Sequence, residues 1–135
     1  MSSVIFNDPI VVVTLENGYI RYTRSSVPYA SLDEVRDVHM RIETAARPFA
    51  SQKIGLLFDI RAAPSRNDDG FEAEILRILT KLTGLFKRHA TLVRSMVGRL
   101  QVQRMARTRG DDGSPIFSDE REAIAFVSSA RKSKP

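Results

Sequence analysis

The 135-residue chain contains no cysteine and no tryptophan, and it has only two histidines. The absence of cysteine excludes disulfide bonds, thiolate catalysis and cysteine-ligated metal sites. His39 and His89 are far apart in the sequence and neither lies near another histidine, so we expect both to be structural and predict no metal site and no cofactor. No apolar run reaches the roughly 18–20 residues of a membrane helix, and the N-terminus lacks a signal-peptide pattern. These absences favour a cytoplasmic protein without membrane insertion.

The sequence also lacks the short motifs of common catalytic sites. It contains no nucleophile elbow, no phosphate-binding loop and no dinucleotide-binding glycine pattern. Pairs of aspartates at 68–69 and 111–112 lie in predicted turns, where Asp commonly accepts hydrogen bonds from nearby backbone. We therefore predict that the protein is not an enzyme.

Positive charge is concentrated in two parts of the chain. Residues 87–110 include seven Lys and Arg residues and no acidic residue, and residues 131–135 include three. The positive charges of these two segments together exceed the net charge of the whole chain, which is +5. The rest of the chain therefore carries a small net negative charge. A local basic segment of this kind can attract an anionic partner.

Hydrophobic patterning predicts strands that alternate with helices. Residues 10–15 and 19–23 read as strands joined by an Asn17-Gly18 hairpin turn. Short apolar runs at 54–59 and 89–93 are typical of strands covered on both faces, and residues 116–117 are predicted to form a minimal strand. Helices are predicted after capping boxes at 31–34 and 69–72, over 95–109, and after Asp119. Pro48 predicts that the first helix ends near Arg47.

The order ββαβαβαβα predicts one α/β domain, bordering on α+β, over residues 1–127. We expect a mixed sheet of four or five strands with an N-terminal antiparallel hairpin, parallel strands and about four helices. Residues 128–135 are predicted to form a basic, frayed tail. The apolar strand at 10–15 is expected to leave an exposed sheet edge, at which a homodimer could form.

Polar side chains follow two of the predicted buried strands. Since parallel strands end at the same edge of a sheet, these side chains are predicted to converge on a site that binds a partner or an anion. Alternatively, Arg61 pairs with Asp59 or Asp68 and only holds its loop in place. The residues predicted for the site are Asp59, Arg61, Ser65, Arg66, Arg94, Ser95 and Arg99.

The predicted helix at 95–109 carries Arg104, Arg107 and Arg109 as well as two glutamines. Arginine and glutamine can hydrogen-bond to base edges in DNA. However, no aromatic residues lie among these arginines, and no helix-turn-helix partner precedes them. We favour a solvent-facing surface that contacts an acidic protein, with nucleic acid as the less favoured partner.

Three segments resemble the SpoIIAA-like family of the STAS and CRAL-TRIO-like fold: Ile54-Gly-Leu-Leu-Phe-Asp-Ile-Arg61, Arg88-His-Ala-Thr-Leu-Val-Arg-Ser95 and Ile116-Phe-Ser-Asp-Glu-Arg-Glu-Ala123. The resemblance implies a non-catalytic regulatory module that binds another protein. STAS proteins of the anti-sigma antagonist type carry a phosphorylatable Ser in an Asp-Ser-x-Gly sequence. Here Ser65 is displaced from that position and no Gly follows it, so Ser65 is a candidate phosphorylation site by resemblance only. The alternative is a carrier of a small anionic ligand or a lipid that uses the same strand-end edge; lipid-binding relatives of the fold have an enlarged apolar pocket closed by extra helices, for which 135 residues leave little room.

Overall fold

The structure of the protein, a computed structural model, describes residues 2–50, 54–64, 69–94 and 115–128. These ranges contain six strands and three helices. The strands are β1 (Ser3–Asn7), β2 (Val11–Leu15), β3 (Tyr19–Arg24), β4 (Gly55–Asp59), β5 (His89–Leu92) and β6 (Ile116–Phe117), and the helices are α1 (Leu32–Ala50), α2 (Asp69–Thr83) and α3 (Glu120–Ser128). The helix predicted at 95–109 and the tail from 129 onward lie outside the described residues.

The strands form one sheet in the order β1-β2-β3-β4-β5-β6. The first three strands are antiparallel, and β3 to β6 are parallel. The predicted mixed α/β sheet is therefore confirmed, but it has six strands, since β1 is an additional strand that was not predicted. The exposed edge predicted at 10–15 is wrong, since β2 pairs with β1 on one side and with β3 on the other.

Local sequence signals account for how the elements begin and end. Gly18 has a positive φ of 96° in the turn between β2 and β3, as the Asn-Gly sequence predicts. Ser31 Oγ accepts a hydrogen bond from Glu34 N–H (3.2 Å), while Glu34 Oε1 accepts one from Ala30 N–H (2.6 Å).

The predicted end of α1 near Arg47 is wrong, because the helix continues through Pro48 to Ala50. A proline this close to the end of a helix removes one backbone hydrogen bond, whereas Phe49, packed against the core, favours continuing the helix. Tertiary packing outweighs the local breaker here.

Two apolar layers cover the sheet. On one face α1 and α2 pack over residues that include Ile20, Leu56 and Phe58, and on the other α3 packs over Leu57 and Leu92. All five residues of β4 are buried, as predicted for a strand covered on both faces. The alternation of side chains along β3 and β4 places Arg21 and Asp59 on the α3 face, beside the start of that helix.

Candidate functional site

The carboxyl ends of the parallel strands lie along one edge of the sheet. Asp59 at the end of β4 is in register with Leu92 at the end of β5, and Ile60 N–H donates to Leu92 O (3.1 Å). On the other side of β5, Val93 N–H donates to Phe117 O (2.8 Å), three residues before Glu120 opens α3. We call this edge the carboxyl rim and define it by Asp59, Arg61, Arg94 and Glu120.

Asp59 is the buried centre of the rim, with 5% of its surface exposed. Its Oδ1 accepts hydrogen bonds from the Arg61 backbone N–H (3.3 Å) and from Arg61 Nε (2.9 Å). Its Oδ2 accepts from Arg61 Nη2 (2.8 Å) and from Arg21 Nη1 (2.7 Å). One carboxylate therefore holds two guanidinium groups, Arg21 and Arg61, which we call the arginine pair.

These contacts keep Asp59 ionised. Burial by itself raises the pKa of the Asp59 carboxyl, but hydrogen bonds from Arg61 and the charges of Arg61 and Arg21 outweigh it and hold the pKa below its ordinary value. The hydrogen bond to Asp59 likewise raises the pKa of the Arg61 guanidinium. An ionised carboxylate whose two oxygens already accept four hydrogen bonds is an anchor and is poorly suited to act as a general base.

Glu120 closes the outer side of the arginine pair. Its Oε2 accepts a hydrogen bond from Arg21 Nη2 (2.5 Å), and its Oε1 lies 3.5 Å from Arg61 Nη1. The Arg21 side chain is 14% exposed, whereas the side chains of Arg61 and Glu120 are 40% and 42% exposed. The cluster thus runs from a buried anion through two cations to a second anion that reaches solvent.

Arg94 lies two residues beyond the end of β5 and is exposed. Within the described ranges, no carboxylate lies within ion-pair distance of it. At the opposite end of β5, Arg88 lies over the Phe126 ring (4.8 Å to its centroid) and donates to Phe126 O (3.3 Å). Arg88 and Arg94, the two arginines of the basic segment that the structure describes, therefore lie at opposite ends of β5.

Three of the predicted site residues, Asp59, Arg61 and Arg94, lie on the carboxyl rim. The alternative in which Arg61 pairs with Asp59 describes the observed contact, and this contact leaves part of Arg61 exposed. The remaining predicted residues lie outside the described ranges: Ser65, Arg66, Ser95, Arg99, Arg104, Arg107 and Arg109.

Sequence reasoning did not assign Arg21 and Glu120 to the site. Arg21 carried no local signal, because its contact with Asp59 depends on the pairing of β3 with β4. Glu120 carried none, since an acid in the first turn of a helix is expected on macrodipole grounds alone.

His39 lies away from the rim, between β3 and α1. It is buried, its Nε2 is 2.7 Å from the Tyr22 hydroxyl, and its Nδ1 is 2.8 Å from Val35 O. Burial lowers the pKa of the His39 imidazole, and the charge of Arg24 lowers it further. These contacts indicate the packed, structural role that the sequence predicts for this histidine.

Across the described ranges, no three His, Asp or Glu side chains are grouped closely enough to hold a metal ion. In the same ranges, no helix combines the length and apolar character needed to cross a membrane.

The chain was compared with protein-family models, with curated proteins and with solved structures, and none of them matches it.

Proposed function

We propose that the protein is a non-catalytic, STAS-like regulatory module that binds an acidic protein surface through the carboxyl rim. The observation that carries the proposal is that the exposed Arg94 and the half-exposed Arg61 follow the ends of two neighbouring strands, on a rim whose central carboxylate is already neutralised by the arginine pair. The basic residues that follow Arg94 in the sequence strengthen the proposal, because positive charge near a contact surface accelerates encounter with an acidic partner.

The chemistry of the rim supports binding more than catalysis. Asp59 is held as an anion by hydrogen bonds, and Glu120 is in contact with both members of the arginine pair. Neither carboxylate therefore offers the unpaired, proton-accepting oxygen that general base catalysis requires. Guanidinium groups presented to solvent, in contrast, are well suited to hold carboxylates of a partner protein.

Arg94→Glu tests this proposal. The tagged, full-length protein captures partners from an extract of its own cells, and the captured proteins are identified by mass spectrometry. We expect an acidic partner whose affinity falls about tenfold or more when the rim charge is reversed. The matched control is Arg47→Glu, the same charge reversal at an exposed residue of α1.

Arg61 is unsuitable for this first test. Its replacement would also remove hydrogen bonds from the buried Asp59, so the fold would change together with the surface. If Arg94→Glu and Arg47→Glu retain the same partners with the same affinity, the rim is not the binding surface and the proposal is wrong.

The arginine pair favours a second candidate, a small anionic ligand such as a carboxylate or phosphate compound. Two guanidinium groups that converge on one carboxylate form a geometry that a free anion can also use. Native mass spectrometry of the freshly purified protein tests this candidate, which predicts a mass added to that of the polypeptide. A spectrum that shows only the bare polypeptide contradicts it.

A further inference from the structure

We infer that Glu120 is an internal occupant of a carboxylate-binding site made by Arg21 and Arg61, and that an acidic side chain of the partner displaces it. This inference rests on the proposed function and deepens it, because it names the atoms that receive the partner and the contact that restrains binding.

The geometry of the arginine pair is that of a carboxylate receptor. Arg21 Nη2 and Arg61 Nη1 each point at a different oxygen of Glu120, at 2.5 Å and 3.5 Å. The two donors come from different strand regions, 40 positions apart in the sequence, and they meet only because β3 and β4 are neighbours. A carboxylate that binds one guanidinium with each oxygen fits this arrangement.

The pair would remain in place if Glu120 moved away. Arg21 Nη1 and Arg61 Nη2 both donate to Asp59 Oδ2, and Asp59 is buried. The site is therefore preorganised by contacts that do not involve Glu120, which reduces the cost of ordering the arginines when a ligand binds.

The Glu120 side chain can leave without unfolding its helix. The N-terminus of α3 is capped by Asp119 Oδ1, which accepts from Arg121 N–H (2.8 Å) and Glu122 N–H (3.2 Å). The helix is held on the sheet by Ala123 and Val127, which are fully buried. Glu120 contributes to neither of these attachments, and 42% of its side chain already faces solvent.

The occupant we assign is a glutamate or aspartate of a protein. The group now between the arginines is a carboxylate, and it fills the site with one oxygen per guanidinium. Arg94, farther along the same rim, provides a further positive charge for a neighbouring acidic residue. An acidic peptide segment can satisfy both positions, whereas a single small anion satisfies only one.

Binding of an acetylated, amidated hexaglutamate peptide to the full-length protein tests the inference. We expect Glu120→Gln to bind this peptide about tenfold more tightly than the unmodified protein, because the competing internal carboxylate is gone. The matched control is Glu122→Gln, which makes the same charge change in the first turn of the same helix at an exposed residue. Its affinity should change by less than about twofold.

Side-chain NMR signals of the arginine Nε–H groups provide a second measurement. In Glu120→Gln, the peptide should shift the signals of Arg21 and Arg61, and hexaglutamine should shift neither. Thermal unfolding of each variant confirms that the fold is intact before binding is compared.

Three results would overturn the inference. Equal tightening in Glu120→Gln and Glu122→Gln would indicate a general charge effect. No tightening in either variant would mean that Glu120 does not compete. Selective tightening for inorganic phosphate or succinate, without tightening for the peptide, would assign the site to a small anion.

The same peptide separates this inference from the proposed function. If Arg94→Glu weakens binding and Glu120→Gln leaves it unchanged, the rim binds acidic surfaces but Glu120 does not compete with them for the arginine pair. If neither substitution changes binding, both proposals fail.

Discussion

A carboxylate as deeply buried as Asp59 is costly unless hydrogen bonds and opposite charge compensate for the lost hydration. Asp59 receives both from the arginine pair. Its contact with Arg61 was within reach of sequence reasoning, because the two residues are two positions apart at the end of a strand. Its contact with Arg21 was not, since that contact depends on how β3 pairs with β4.

We expect Asp59→Ala to destabilise the fold by about 3 kcal/mol, because it leaves two partly buried guanidinium groups without their shared anion. Urea denaturation measures this change. Asp37→Ala is the matched control, since Asp37 forms an exposed ion pair with Arg41 (3.1 Å). Its loss should change the free energy of unfolding by no more than about 0.5 kcal/mol. Equal effects of the two substitutions would show that Asp59 is not a structural anchor.

At the scale of elements, the position of α3 determines whether Glu120 reaches the arginine pair. Its start brings Glu120 to the arginine pair, and its end lies against the start of β4 at Gly55. A Cβ atom on Gly55 would lie 2.9 Å from Val127 Cβ and closer still to the Val127 carbonyl oxygen. Gly55 therefore permits the close approach of helix and strand that sets the position of α3.

Gly55→Ala should force α3 away from the sheet and destabilise the protein by about 1–3 kcal/mol, the usual cost of overpacking a core. The matched control is Gly84→Ala, because a Cβ there would meet its nearest atom, Lys81 O, at an ordinary 3.5 Å. Thermal unfolding compares the two variants. A Gly55→Ala protein as stable as Gly84→Ala would show that the contact between Gly55 and Val127 does not position the helix.

At the scale of the whole molecule, the two faces of the sheet carry groups that respond to acid in different pH ranges. On the α1 face the pKa of His39 is lowered by burial. On the α3 face the pKa of Asp59 is lowered, despite burial, by its arginine contacts. Between α1 and α2, hydrogen bonds from Arg77 and Arg36 lower the pKa of Glu74 to about 2.

Because folding holds His39 neutral, the unfolded chain binds a proton more readily, and stability should fall as the pH drops below about 6.5. A second loss should follow below about pH 4, where the folded state favours ionised Asp59 and Glu74 but the unfolded carboxyls become protonated. Urea denaturation over this pH range measures both losses. His39→Gln should abolish the first loss and retain the second, and an unchanged first loss would contradict the assignment to His39.

Much of the local structure was predictable from short-range patterns. The hairpin turn at Gly18, the cap of α1 and the five buried residues of β4 depend on neighbouring residues and on apolar spacing. β1 was missed and the end of α1 was misplaced, because pairing with β2 and packing of Phe49 act across the fold.

Within the described ranges, the residues alone specified most of the strands and helices, because backbone preference and apolar spacing act over a few positions. The candidate site depended on the assembled fold. Arg21 and Glu120 are separated by 99 positions, and they meet only because β3 pairs with β4 while α3 crosses the same face. Long-range pairing of charges of this kind follows from strand order and helix placement, and no local pattern encodes it.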